Sequence, residues 1–111
     1  MNKKSEIKIT VGLDDKNNPE KIEWGATDAQ FEGVKPAKSL LLSFWDEKDN
    51  VTLGIDLWTK EMTINDMNIH FYQVFLNLAD TFERSTKNKN VADMIRKFGN
   101  DFAEKLELSV K

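Results

Sequence analysis

The sequence predicts an α+β protein in two layers, a mainly antiparallel four-stranded sheet covered on one face by two C-terminal helices. Residues 7–13 alternate strictly between apolar and polar side chains, the period of a half-buried strand. Residues 39–58 read as two apolar runs around the polar turn EKDN (47–50). From residue 64 onward the apolar residues recur at helical spacing. Strands first and helices last is the order of an α+β fold.

The first strand spans about 6–13, with Ile7, Ile9, Val11 and Leu13 on one face and Lys8, Thr10 and Gly12 on the other. DDKNNPE (14–20) is rich in turn formers, and its Pro19 cannot continue a ladder. A second strand follows over about 21–26, with Ile22, Trp24 and Ala26 on one face. Residues 27–37 contain the breakers Gly33 and Pro36 and read as an irregular connection, which Phe31 would tuck onto the core.

The third and fourth strands, about 39–46 and 51–58, form a hairpin. With a four-residue loop, Asp46 faces Val51, and Phe44, Leu42 and Leu40 face Leu53, Ile55 and Leu57. That row is the expected core face. The same register sets Trp45 against Thr52, Ser43 against Gly54, Leu41 against Asp56 and Ser39 against Trp58, on the far side. A slip of one residue would scatter the apolar row over both faces, so the register is well specified. A helix over 35–46 is the rival reading, kept open because that stretch lacks the β-branched residues that favour a strand.

Thr63 is placed to cap the first helix, about 64–85, with Asp66 near its positive end. Its main stripe is Met67, Phe71, Val74, Phe75, Leu78 and Phe82, and a second stripe is Ile69, Tyr72, Leu76 and Ala79. Two apolar sides require two neighbours, expected to be the sheet and either the second helix or a partner. STKNKN (85–90) breaks the pattern. Asn90 is expected to cap a second helix over about 91–106, striped by Val91, Met94, Ile95, Phe98, Phe102 and Leu106. Gly99 inside it costs roughly 1 kcal/mol relative to Ala, a loss that close packing against the first helix would offset. LELSV (106–110) fits a helical extension or a short strand equally well.

Composition bounds the rest. A chain of 111 residues is read as one domain over 1–111, large enough to bury roughly 60–70% of its unfolded surface. Cys is absent, so disulfides, thiolate metal sites and thiol catalysis are excluded. The N-terminal MNKKSEIKIT has no apolar stretch of the kind a secretory signal needs. The longest apolar run is Leu40–Leu42, far below the ~18 residues of a membrane span. A cytoplasmic protein without membrane insertion is therefore expected. The net charge of −3 opposes nucleic-acid binding, because phosphate attraction dominates that affinity. Lys87, Lys89, Arg96, Lys97 and Arg84 give only a mild basic bias at the helix junction.

No enzyme constellation can be assembled. The sole histidine is His70, four residues after Asp66, which reads as a local ion pair or an exposed side chain. No G-x-S-x-G, Walker A, G-x-G-x-x-G or H-E-x-x-H motif occurs. Asp46, Glu47, Asp49 and Asn50 read as a polar turn, since they lack the Gly and terminal Glu of a calcium loop. No catalytic, metal or cofactor residue is assigned, and no cofactor is expected. The candidate site is an interaction face made of Leu41, Trp45, Asp56 and Trp58. Asp is unfavourable within a strand, and Trp is enriched at interface hot spots. Packing of the indoles beneath residues 27–37 is the competing reading. A groove lined by Trp24, Phe31, Trp45 and Trp58 would instead suggest a chaperone-like or ligand-binding module.

WDEKDNVTLGIDLWTKEM (45–62) resembles the signature of the GldC family, gliding-motility-associated proteins of Bacteroidetes. SEIKITVGLDDKNNPEKIEWGATD, ADTFERST and FAEKLEL extend the resemblance colinearly over the chain. At Gly54 the chain departs from the family pattern, which carries Arg there, so no basic role transfers to that position. The resemblance implies a small non-enzymatic accessory protein of gliding motility, with components of the gliding machinery as partners. A second copy of the chain is the other partner the exposed face would suit.

Overall fold

In the computed structural model, which describes residues 3–108, the chain forms five strands and two helices in two compact units that divide between Met62 and Thr63. The first unit contains β1 (Ile7–Leu13), β2 (Pro19–Ala26), β3 (Lys35–Ala37), β4 (Ser39–Asp46) and β5 (Val51–Trp58). The second contains α1 (Ile64–Thr86) and α2 (Lys89–Lys105). The α+β class and the strands-then-helices order are as the sequence predicts.

The strands differ from expectation in one respect. They form two antiparallel sheets, a three-stranded β1-β2-β3 and a two-stranded β4-β5, where a single four-stranded sheet was predicted. The additional strand lies in the stretch read as irregular. Lys35–Ala37 pair with Ile22–Trp24, and Pro36 faces Glu23. Proline lacks the N–H a central strand needs, so it is confined to an edge, and the ladder is only three pairs long. Pro19 likewise occupies the first position of β2, opposite Leu13, where the register slips between Gly12 and Leu13. β2 therefore starts earlier than the turn-forming composition suggests.

Side chains and backbone share the work of closing the turns. Asp14 Oδ1 accepts from the N–H groups of Lys16 (2.8 Å) and Asn18 (2.9 Å), and Asn17 takes the left-handed conformation at φ 64°. Between β4 and β5, Asp46 Oδ2 accepts from Asp49 N at 2.8 Å and Asn50 is left-handed at φ 54°. The acidic residues at 46–50 are thus a hairpin turn, in keeping with the preference of Asp and Asn for such positions. The connection after β2 is tied by Thr27 N to Glu6 O at 3.0 Å and by an edge-on Trp24–Phe31 stack at 5.1 Å. Phe31 does tuck this segment down, and such a pair contributes about 0.5–1.5 kcal/mol beyond its buried area.

The hairpin register is the one parity predicts, from Asp46 opposite Val51 to Ser39 opposite Trp58. The burial of its apolar row is uneven. Leu40, Leu42 and Leu57 are half-buried, while Phe44, Leu53 and Ile55 are 52%, 55% and 50% exposed. A two-stranded ribbon brings no covering layer of its own. The deepest residue of the first unit is Ile22, at 1% exposure.

In the second unit, Thr63 caps α1 as expected, its Oγ1 accepting from Asp66 N at 3.0 Å. α1 ends with Lys87 in the left-handed conformation. The cap of α2 is Asn88, accepting from Val91 N at 3.1 Å, rather than Asn90. The left-handed Lys87 ends the first helix early enough for the next residue to begin the second. Where α1 and α2 meet, Ala79, Ala92, Gly99 and Ala103 are buried and Phe75 stacks edge-on against Phe98 and Phe102 at 5.1 Å. A Cβ at Gly99 would lie 3.3 Å from Leu76 Cδ2, so the close approach inferred for this glycine is present. α2 ends at Lys105. Residues 109–111, and with them the end of LELSV, lie outside the described residues.

Candidate functional site

The ribbon β4–β5 presents alternate residues to opposite sides. Leu41, Trp45, Asp56 and Trp58 share one of them, with Leu41 directly opposite Asp56. Their exposure follows from that placement. Trp45 is 67% and Trp58 57% exposed, and Leu41 is 40%. The two indoles do not stand together. Trp45 pairs with Thr52 near the turn, and Trp58 pairs with Ser39 at the other end, six residues or roughly 20 Å along the strand.

At the Trp58 end the first unit forms a half-open cleft of about 510 Å³. Asp14 and Asn18, from the turn between β1 and β2, and Pro19, the first residue of β2, line one side. Asp56, Leu57, Trp58 and Lys60 line the other. The fold therefore joins two of the four predicted residues, Asp56 and Trp58, to a turn some forty residues earlier in the chain. Asp14, Asn18 and Lys60 were not singled out in the sequence. Asp14 carried the composition of any polar turn, and nothing local announces which strand that turn will approach.

The electrostatics of the cleft are mixed. The N–H groups of Asn18 and Lys16 hold the Asp14 carboxyl below its ordinary value, and the Lys60 charge lowers it further. Asp56 has no ion-pair partner among the described residues. No group of three His, Cys, Asp or Glu side chains suited to a metal ion occurs among the described residues.

The aromatic residues expected to share one groove do not all meet. Trp24 stacks on Phe31 and also borders an apolar hollow of about 300 Å³ with Ile7, Ile9, Ile22, Leu40 and Leu42. Trp45 and Trp58 do not line that hollow. In the second unit, Arg96 bridges the helices through Asp80 and Glu83, both at 2.8 Å, and holds Asp93 at 2.7 Å. Lys89 and Lys97 pair with Asp93 and Asp101. The basic bias at the helix junction is thereby largely matched by acids. No Asp66–His70 ion pair forms among the described residues, and His70 Nδ1 is buried without a hydrogen-bond partner. No helix among the described residues is long and apolar enough to cross a membrane.

Fold and face together define a small α+β protein whose most distinctive feature is an aromatic ribbon rather than a catalytic cluster. Residues 19–108 match the family model described as gliding motility-associated protein GldC-like, and the chain belongs to that family. The protein is thus a gliding motility-associated one, as the signature around Trp45–Met62 implied. Neither a curated protein nor a solved structure matches it significantly.

Proposed function

We propose that the protein is a non-enzymatic accessory component of bacterial gliding motility that works by protein–protein contact, with residues 1–111 acting as one functional domain in the cytoplasm. The contact face is the side of the β4–β5 ribbon that carries Leu41, Trp45, Asp56 and Trp58. Membership of the gliding-associated family supplies the process. The observation that carries the contact is the exposure of two indoles, 67% and 57%, on one side of a two-stranded ribbon. Large exposed aromatics remove much apolar surface from water when a partner covers them, which is why they dominate interface energetics.

Affinity capture from a gliding bacterium tests the reading. The wild-type chain is expected to recover components of the gliding machinery, and Trp45→Ser is expected to lose them while keeping its circular dichroism spectrum and melting temperature. Recovery of no such component at native abundance, or equal recovery by the variant, would sink it. A ligand-binding module is the second reading, favoured by the apolar hollow beside Trp24 and Leu42. Saturable fluorescence enhancement of an apolar dye, abolished by Leu42→Gln in a folded chain, would support that alternative.

A further inference from the structure

The cleft beside Trp58 combines groups that recognise one kind of ligand. Asp56 is an exposed carboxylate inside a strand, where Asp is unfavourable, and it has no ion-pair partner among the described residues. Asp14, across the cleft, spends Oδ1 on the N–H groups of its own turn at 2.8 and 2.9 Å. Those bonds fix its position and favour the charged form. Trp58 contributes an indole that is 57% exposed. Lys60 is the one cation among the described residues that line the cleft.

We propose that this cleft receives the guanidinium of an arginine carried by a partner protein. The inference rests on the contact reading above and names the chemistry of that contact. Two carboxylates against one ammonium leave a single negative charge, which matches a monovalent cation. A divalent metal is a poorer match, since no three-ligand cluster exists among the described residues. Guanidinium is favoured over ammonium because it is planar and weakly hydrated. It stacks on an aromatic face while its N–H groups donate to carboxylate oxygens. A volume of about 510 Å³ falls within the range of ordinary ligand sites and admits a side chain with its flanking backbone.

The test uses the full ¹⁵N-labelled chain and N-acetyl-arginine methylamide as probe. The Trp58 indole N–H resonance, assigned with Trp58→Phe, is expected to shift saturably. N-acetyl-glutamine methylamide at the same concentration is expected to leave it in place. Asp56→Asn should weaken the titration at least about threefold, and Lys60→Gln, which removes the opposing charge, should tighten it about twofold, as expected for exposed charges. Glu47→Gln, at the far end of the ribbon, should change nothing. No shift, an equal shift with the glutamine probe or with magnesium chloride, or titrations unchanged in Asp56→Asn and Lys60→Gln would each overturn the proposal. Its failure is distinguishable from failure of the contact reading. The titration needs no gliding component, and the capture experiment uses Trp45, which does not line the cleft.

Discussion

Three positions set local geometry through a single atom or its absence. Gly25 lies where a Cβ would come within 2.6 Å of the Gly33 carbonyl oxygen, which is backbone and cannot swing aside. Gly25→Ala is therefore expected to destabilise the protein by about 1–3 kcal/mol in urea titrations, the usual cost of overpacking. Gly99 is a milder case, because its nearest neighbours are the side chains of Leu76 at 3.3 Å and Phe75 at 3.4 Å. Replacement by Ala gains about 1 kcal/mol of helix propensity and must move Leu76 slightly. Gly99→Ala should thus fall within about 1 kcal/mol of wild type, whereas Gly99→Leu should lose about 1–3 kcal/mol. Thr63 accepts one of the orphan N–H groups of α1, so Thr63→Ala should cost about 1 kcal/mol. A smaller loss of helical signal than that on denaturation would show that the cap is redundant.

At the scale of elements, the ribbon and the helical hairpin divide their surfaces differently. In β4–β5, side-chain parity decides which face each residue joins, and register decides its partner. In the helices, residue size decides. The seam buries Ala79, Ala92, Gly99 and Ala103, and Phe75 of α1 stacks edge-on against Phe98 and Phe102 of α2 at 5.1 Å beside them, with Met94 and Phe98 still 70% and 57% exposed. Periodicity marks Met94 and Phe98 as a stripe but cannot say that Phe98 would meet Phe75 of α1 while Met94 stays open, or that the smaller residues beside them would be the fully buried ones. The Arg96 clip also belongs to this scale. Hydrogen bonds from Lys89 and Arg96 hold the Asp93 carboxyl below its ordinary 3.8. The folded value lies below the unfolded one. The associated stabilisation is therefore complete above the unfolded value and is lost as pH falls through the folded one. Asp93→Asn should flatten the acid limb of stability below about pH 4, which urea unfolding at a series of pH values would reveal. An acid limb identical to wild type would show that exposed screening cancels the clip.

For the whole molecule, charge is the property that composition alone establishes. A net charge of −3, with Lys89, Arg96 and Lys97 of the helix junction paired to acids, leaves little to attract a polyanion. No retardation of duplex DNA is expected in a mobility assay at low salt, where phosphate attraction is strongest. Retardation there that disappears with added salt would contradict this. Of the fold, the spans of β1, β4, β5 and α1 and the hairpin register were legible because each depends on a repeat of two or 3.6 residues within one segment, whereas β3 fell in a stretch read as irregular. The division into two sheets was not legible. Residues 35–46 pair first with β2 and then with β5, and no local pattern records that change of partner. The cap of α2 was misplaced by two residues because STKNKN offers asparagines at 88 and 90 with equal local merit. The choice fell to Asn88 once Lys87 adopted the left-handed conformation.

By itself the sequence determined the α+β order, the ribbon's parity and the absence of cysteine chemistry, because each is written in neighbouring side chains or in simple counts. Only the tertiary structure decided that the Asp14 turn shares a cleft with Asp56 and Trp58, and that Ala79, Ala92, Gly99 and Ala103 are the residues buried where the helices meet. Both depend on segments far apart in the chain meeting in space, and that meeting is governed by the packing of the unit rather than by any one segment's preference.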